Sequence, residues 1–158
     1  MIVTKPELVL MDAVAKDSTD IIEQLCARLQ AAGCIGDTYC RDVLAREREY
    51  PTGLPSEGVT AAIPHAYSED VRETAVAIAV LREPVMFRNI ADYDEELPVS
   101  LVFLLANGTG EGEHMDSLQE LMDSMSRPTL LLAVKNASGP EEIQEILAHV
   151  ERYPEADE

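Results

Sequence analysis

Two long apolar runs, Ala75–Leu81 and Val99–Ala106, constrain the fold of this chain more than any other feature. A strand with one face in water alternates apolar and polar residues, whereas a near-continuous apolar run is typical of a strand buried on both faces. Apolar residues recur at helical spacing elsewhere, between Asp17 and Gly33 and again after Gly139. Strands interleaved with helices predict an α/β domain whose central sheet is covered by helices on both faces.

The remaining segments predict shorter elements. At 158 residues the chain is long enough for one domain with a good core. We therefore expect a single domain over residues 1–158, with its core at about 15–150 and a disordered tail at 154–158. We also expect strands at Leu8–Met11 and Val59–Ile63, a short extended piece at Pro84–Phe87, loops at Pro51–Gly58 and Asp92–Glu96, a helix capped by Asp37 and reaching about Arg48, a helix from about Glu113, and a helix or a strand at Leu130–Val134.

Charge, apolar run length and cysteine count together exclude several classes of function. The chain has 30 acidic and 12 basic side chains, so it lacks the clustered Lys and Arg that nucleic acid requires. No apolar run approaches the roughly 20 residues that span a bilayer, and we expect no membrane insertion. The odd number of cysteines, three, gives no disulfide framework and favours a cytoplasmic protein. The acidic surface suits brief encounters with a basic protein partner, or it serves solubility alone.

His65 is the strongest candidate for chemistry. It follows the apolar segment Val59–Ile63 and Pro64, which fixes its own φ and favours an extended Ile63. Neutral imidazole is available near physiological pH as a nucleophile or base, so a rigidly presented histidine at a strand end suits group transfer. The alternative is a histidine that ends the strand and bonds to a neighbouring carbonyl.

Ordered segments around and beyond His65 carry a family resemblance. They are Arg46-Glu47, Tyr50–Leu54, Ala62–His65, and a downstream series of Val71–Val80, Pro84–Phe87, Val99–Leu105 and His114 with Leu118. In this order they resemble the IIA component, fructose–mannitol type, of the bacterial phosphoenolpyruvate-dependent sugar phosphotransferase system. Extra residues around Pro55–Gly58 are similar to the galactitol-type branch, which favours a hexitol such as galactitol as the sugar.

The resemblance implies a phosphotransferase with a central mixed β-sheet. His65 would accept a phosphoryl group from the phosphohistidine of the carrier protein HPr and pass it to a cysteine of the IIB component, which serves the membrane component IIC. No metal or organic cofactor is implied. The alternative on the same fold is a regulatory phosphoprotein that controls a partner through the same histidine. A metal hydrolase that uses His65 and His114 lacks a ligand spacing and a third ligand.

His114 is a second candidate, at the start of the helix predicted from Glu113. It is followed at i+4, i+7, i+8 and i+11 by Leu118, Leu121, Met122 and Met125. This spacing puts His114 on the apolar side of the helix. The resemblance implies that it lies beside the phosphorylated histidine. The alternative is a histidine at the edge of the core that donates to a carbonyl.

Arg46 and Thr52 are candidate phosphate contacts. A guanidinium offers two parallel donors to phosphate oxygens, and Arg46 lies near the end of a helix that leads into the loop containing Thr52. The resemblance favours Arg46 over Arg48; the alternative is an exposed arginine paired with a glutamate. Thr52 either donates its hydroxyl to phosphate or holds the turn. We expect Glu47 to be a solvated helix charge.

Overall fold

The computed structural model describes residues 4–108 and 113–156, with side chains at 4–108 and 117–156. Strands and helices are interleaved along these residues. The strands are β1 (Val9–Ala13), β2 (Gly53–Leu54), β3 (Ala61–Ala62), β4 (Ala75–Asn89) and β5 (Asp92–Ala106). The helices are α1 (Ser18–Ala31), α2 (Tyr39–Glu49), α3 (Glu113–Met125), α4 (Pro128–Lys135) and α5 (Pro140–Ala148).

A long antiparallel hairpin of β4 and β5 forms the centre of the sheet. The strands predicted at Ala75–Leu81 and Val99–Ala106 are both confirmed, but each is longer than predicted. Pro84–Phe87 belongs to β4 rather than to a separate extended piece, and Asp92–Glu96 belongs to β5 rather than to a loop. Pairing across the hairpin overrides the weak strand propensity of these acidic residues. The register shifts beside Pro84, which has no N–H to give to the ladder.

The other three strands make the sheet mixed. β1 runs parallel to β4, with Val9 opposite Ile78, and β3 runs parallel to β5, with Ala61 opposite Leu101. β2 lies within the segment predicted to be a loop, and it pairs antiparallel with β3 and parallel with β4. The mixed sheet that the resemblance implied is therefore confirmed.

The two faces of the sheet bury separate groups of apolar side chains. Successive residues of β4 point to opposite faces. Ala77 and Ala79 pack with side chains of α1 and α2, whereas Val76 and Ile78 pack with those of α3, α4 and α5. Helices cover both faces, as predicted, and for this reason the sequence of β4 shows no alternation over its first seven residues.

The first helix begins and ends where the sequence predicts. The Asp17 carboxylate accepts a hydrogen bond from the backbone N–H of Asp20 at 2.8 Å, which satisfies one of the free donors of the first turn of α1. Gly33 follows the helix with φ +79°, a conformation that glycine adopts without strain. Local sequence is sufficient to define this helix.

The start of α2 is held by a residue from a distant loop. Asp37 was expected to cap this helix, and that prediction is wrong. Instead, the Asp70 carboxylate accepts from the backbone N–H and the hydroxyl of Thr38 at 2.8 and 2.9 Å, and from the N–H of Tyr39 at 3.0 Å. A Cβ on Gly36 would lie 2.1 Å from Oδ1 of Asp70, so only glycine permits this approach. The loop after His65 is thereby tied to α2.

The C-terminal part of the chain is helical and packs on one face of the sheet. Residues 130–134 lie within α4, which decides between the two structures the sequence allowed. Beyond α5, the N–H of Ala156 donates to the carbonyl of Ser126 at 3.0 Å, and Glu155 pairs with Arg127 at 3.4 Å. The last two residues of the predicted tail, 157 and 158, lie outside the described residues. Across the described ranges, no helix has the length and apolar character needed to cross a membrane.

Candidate active site around His65

His65 lies just beyond β3, beside the end of β5, and its side chain is only 7% exposed. A parallel bridge pairs it with Leu105, and the N–H of Leu105 donates to the carbonyl of Pro64 at 3.0 Å. The proline ring further limits the backbone on the N-terminal side of His65. The two strand ends therefore hold the imidazole in one place, largely shielded from water.

One hydrogen bond distinguishes the two ring nitrogens of His65. Nδ1 lies 2.8 Å from the carbonyl oxygen of Ile63. Since a carbonyl can only accept, Nδ1 carries the proton and Nε2 keeps its lone pair in the neutral ring. Burial lowers the pKa of His65 below its ordinary value of 6.5, and the charge of Arg46 lowers it further. The carbonyl bond expected for a structural histidine is present, and it is also the bond that leaves Nε2 free.

Arg46 reaches His65 through aromatic rings. Its Cζ lies 4.8 Å from the ring centroid of Tyr67 and 5.0 Å from that of Tyr50. The Tyr67 ring in turn meets the His65 ring edge-on, with centroids 5.8 Å apart. Nε of Arg46 is buried and has no hydrogen-bond partner among the described residues. Cation–π contacts of this kind hold the positive charge of Arg46 near the His65 ring, where it lowers the pKa, and they leave Nε of Arg46 as an unused donor among the described residues.

Glu47 is buried, so the expectation of a solvated helix charge is wrong. Its carboxylate accepts from the N–H of Thr52 at 2.8 Å and from the Thr52 hydroxyl at 2.6 Å. Burial raises the pKa of Glu47 to about 7, against the lowering effect of the two Thr52 bonds. The Thr52 hydroxyl donates its one proton to Glu47, as expected for a threonine that holds the turn. The carbonyl of Thr52 accepts from the N–H of Ile63 at 3.3 Å, so this turn supports the strand that carries His65.

The Tyr39 hydroxyl joins the turn after His65 to the end of β5. It lies 2.7 Å from the carbonyl oxygen of Leu105 and 3.1 Å from that of Ala66, and it accepts from the N–H groups of Ala66 and Asn107 at 3.1 Å. A phenol has one proton, which the shorter contact assigns to Leu105. Burial raises the pKa of Tyr39 to about 12, so the hydroxyl stays protonated. This residue fixes where the backbone goes immediately after His65.

These tyrosines and the burial of Glu47 were not predicted from the sequence. The signal for Glu47 was present, because Tyr39, Val43 and Glu47 recur every four residues and form the buried face of α2. Tyr50 and Tyr67 stand directly beside the motif segments, but nothing in their spacing indicates that they would sandwich an arginine. That contact depends on how α2 packs across the strand ends.

The prediction for His114 lies outside the described side chains. Its backbone belongs to the first turn of α3, which begins at Glu113 as predicted. Farther along α3, Leu121 and Met125 are buried in the core. Among the side chains that the structure describes, no group of three or more His, Cys, Asp or Glu could hold a metal ion.

Comparison with known families agrees with the architecture and with the sequence motifs. Residues 2–150 match the family model described as phosphoenolpyruvate-dependent sugar phosphotransferase system, EIIA 2. The chain belongs to this family. The resemblance predicted from the segments around His65 is therefore confirmed, and the EIIA 2 match covers nearly all of the chain.

Curated relatives of this EIIA 2 chain include both transport and regulatory proteins. It is 35% identical over 103 residues to the transcriptional regulator ManR of Bacillus subtilis, covering 65% of this chain and 14% of ManR. It is 32% identical over 89 residues to the galactitol-specific EIIA component of Escherichia coli K12, covering 56% of this chain and 59% of that protein. The chain thus spans about a seventh and about three fifths of these two proteins.

A solved complex provides the structural comparison. The EIIA 2 chain matches a chain of the complex of enzyme IIAMTL and phosphorylated enzyme IIBMTL from Escherichia coli with a TM-score of 0.76 and 20% identity. The match covers 94% of this chain and 99% of that one. At this identity the likeness establishes the fold, and the observed sheet agrees with it.

Proposed function

We propose that this EIIA 2 protein accepts a phosphoryl group on Nε2 of His65 and passes it to a cysteine of a IIB component. The bond from Nδ1 to the carbonyl of Ile63 carries the proposal, because it leaves Nε2 with a free lone pair in a mostly buried position. A lowered pKa keeps the ring neutral at physiological pH. Neutral imidazole is the form that can attack phosphorus.

The transfer balances without a separate base. Nε2 of His65 attacks phosphorus on the phosphohistidine of HPr, and the Nε2–P bond forms as the donor N–P bond breaks. The electron pair returns to the donor ring, which leaves as neutral imidazole because its other nitrogen carries a proton. Nδ1 of His65 keeps its own proton, and the Ile63 carbonyl stabilises the positive charge that the ring acquires. In the second step a thiolate of IIB attacks phosphorus, and the pair returns to Nε2.

Arg46 is the side chain best placed to stabilise charge on the phosphoryl oxygens. Catalysis of phosphoryl transfer is mainly positioning and electrostatic stabilisation of three equatorial oxygens. The two tyrosine rings hold the guanidinium near His65, and its buried Nε is unused by the described residues. We propose His114 as a second group beside the phosphohistidine, on the resemblance alone. For Thr52 we propose the turn-holding role, which the bond from its hydroxyl to the Glu47 carboxylate at 2.6 Å supports.

Family membership and two relatives support the partners that we propose. The solved complex pairs a IIA with a phosphorylated IIB, which supports a IIB component as the acceptor. We propose HPr as the donor and, through IIB, a membrane IIC. The galactitol-specific relative supports a hexitol such as galactitol as the sugar. Since the three cysteines are unpaired, we place the reaction in the cytoplasm.

A regulatory role is the second candidate. The relative ManR is a transcriptional regulator, and it matches 65% of this chain at 35% identity. In that role the phosphoryl group on His65 would alter binding to a partner instead of moving on to IIB. Both roles need the same phosphorylated histidine, so they differ only in what the phosphorylated protein does next.

The test uses phosphoenolpyruvate, the general phosphotransferase proteins and intact-mass spectrometry. The wild type should gain one acid-labile phosphoryl group, and His65→Ala should gain none. His149→Ala is the matched control, since this surface histidine pairs with Glu145 in α5 and should leave phosphorylation unchanged. Full phosphorylation of His65→Ala would reject the assignment. Loss of the phosphoryl group on adding the cognate IIB indicates transport, whereas retention favours regulation.

A further inference from the structure

Asn107 is a fully buried polar residue whose side chain finds no partner within the described part of the chain. It follows the last residue of β5 and is 0% exposed. Neither Nδ2 nor Oδ1 has a hydrogen-bond partner within the residues that the structure describes. Buried amides are nearly always paired, because losing water without gaining a partner is costly. A buried carboxamide without a partner at a strand end is therefore a candidate for binding a ligand that offers acceptor atoms.

Strand register places Asn107 beside His65. Leu105 pairs with His65 in the parallel bridge, and Asn107 is two residues farther along. The backbone N–H groups of Ala66 and Asn107 both donate to the Tyr39 hydroxyl, which brings the two chain segments together. Because side chains alternate along a strand, Asn107 shares the face of Leu105, opposite to Ala106. Leu105 packs with Ile63 on that face, and His65 is two residues after Ile63.

We propose that the carboxamide of Asn107 binds the phosphoryl group on His65, with Nδ2 donating to a phosphoryl oxygen. The inference rests on the proposed function and adds a residue to it. A phosphoryl group brings acceptor oxygens to a place where an amide donor lies unused, while Arg46 supplies the positive charge. Asn107 makes and breaks no covalent bond, so the balance of the transfer is unchanged. Its role is to stabilise the phosphorylated state.

The key variant is Asn107→Leu, which removes both polar atoms. We expect its melting temperature to match or exceed that of the wild type, because a buried unpaired polar group is gone. Transfer from phosphorylated HPr should nevertheless slow by about 10²-fold, the usual effect of losing one preorganised donor. Phosphorylation should also raise the melting temperature of the wild type more than that of Asn107→Leu. If Asn107 had a purely structural role, phosphorylation would raise the melting temperature of the wild type and of Asn107→Leu by the same amount.

Two further variants keep the test decisive. Asn89→Leu is the matched control, since this buried asparagine has both side-chain atoms bonded, to Glu95 and to the N–H of Ala91, each at 2.8 Å. It should lose stability and keep its transfer rate. Asn107→Asp keeps the shape but brings an acceptor charge toward the phosphoryl group, and it should transfer more slowly than Asn107→Leu.

The outcomes separate this inference from the proposed function. If the wild type takes no phosphoryl group, the proposed function fails. If the wild type is phosphorylated and Asn107→Leu matches its rate and its melting shift, the inference alone is overturned. A loss of stability in Asn107→Leu as large as in Asn89→Leu would mean that the carboxamide is paired inside the protein, and would also overturn it. A wild-type rate in Asn107→Asp counts against it in the same way.

Discussion

Single hydrogen bonds set the chemical state of the residues at this site. The Ile63 carbonyl decides which nitrogen of His65 carries the proton, and Thr52 decides where the Glu47 carboxylate points. Both ionisable side chains are more than nine-tenths buried, so each prefers its neutral form. The neutral imidazole keeps a lone pair available on Nε2, and the Glu47 carboxyl has its pKa raised to about 7.

The titration of His65 is the first prediction at this scale. Its midpoint should lie below 6.5, because burial and the Arg46 charge both disfavour the imidazolium. Arg46→Gln removes one of the two causes, so the midpoint should move up toward 6.5. Ring ¹⁵N NMR measures both midpoints and should show the proton on Nδ1 at neutral pH. A wild-type midpoint above 6.5, or a proton on Nε2, would contradict the assigned geometry.

Glu47 gives a second prediction, for stability. Its pKa is about 7 in the folded protein against an ordinary 4.5, so the folded state holds the proton to higher pH. Stability from this group is present below pH 4.5 and is lost as the pH rises through 7. Glu47→Gln cannot titrate and should not show this loss. The unfolding free energy of the wild type should therefore fall relative to that of Glu47→Gln by roughly 2–3 kcal/mol between pH 5 and 8. Urea unfolding at the two pH values measures it, with the exposed Glu49→Gln as the control. Parallel pH curves for wild type and Glu47→Gln would reject the buried acid.

At the scale of elements, α2 organises the site. Its buried face presents Tyr39 and Glu47 to two different turns, and its last two turns carry Arg46. Asp70, from the loop after His65, caps the same helix. Helix, turn and strand end are therefore connected by hydrogen bonds, and we expect a shift in one of them to move the imidazole.

Tyr39→Phe tests this connection. Without the hydroxyl, the N–H groups of Ala66 and Asn107 and the carbonyl of Leu105 lose a buried partner. We expect a loss of about 1–3 kcal/mol in unfolding free energy, and transfer slower by up to about 10²-fold through misplacement of His65. Thermal unfolding and single-turnover transfer measure the two effects. The exposed Tyr93→Phe is the control. An unchanged rate in a destabilised Tyr39→Phe would mean that the hydroxyl stabilises the fold without positioning His65.

The elements differ in how much of them sequence can predict. α1 has its own cap and its own apolar stripe, so Asp17 and the helical spacing of the apolar residues are enough to predict this helix from sequence. The cap of α2 comes from Asp70, more than thirty residues away in the chain, and no local pattern can show it. The first part of β5, Asp92–Glu96, is acidic and has weak strand propensity, so it forms a strand only because it pairs with β4. His65 and Arg46 were predicted from a motif, whereas Tyr39, Tyr67 and Asn107 depend on tertiary packing.

At the scale of the whole molecule, charge dominates. The chain carries 30 acidic and 12 basic side chains, and a net charge of −18. The described ion pairs, such as Lys5 with Glu73 and Arg82 with Asp12, use several of the few cations locally. The excess negative charge is therefore left to act on other molecules, and it favours partners whose docking face is basic.

Salt dependence tests this long-range attraction. Screening shortens the range of the field to about 8 Å at physiological ionic strength. Transfer from phosphorylated HPr at limiting protein concentrations should therefore slow from low to moderate salt, because association is steered. At saturating concentrations of HPr the rate should depend much less on salt, which serves as the internal control. Equal salt insensitivity in both regimes would mean that the acidic surface serves solubility alone.

The placement of two site residues on one helix has an evolutionary consequence. Tyr39 and Arg46 are seven positions apart on α2, which sets them roughly 10 Å apart along its axis. One residue inserted between them would turn one side chain about 100° away from the other. The exposed loop Pro55–Gly58 carries no such constraint, since it only returns the chain to β3. Descendants of this protein are therefore expected to gain and lose residues in that loop, while the length of α2 stays fixed.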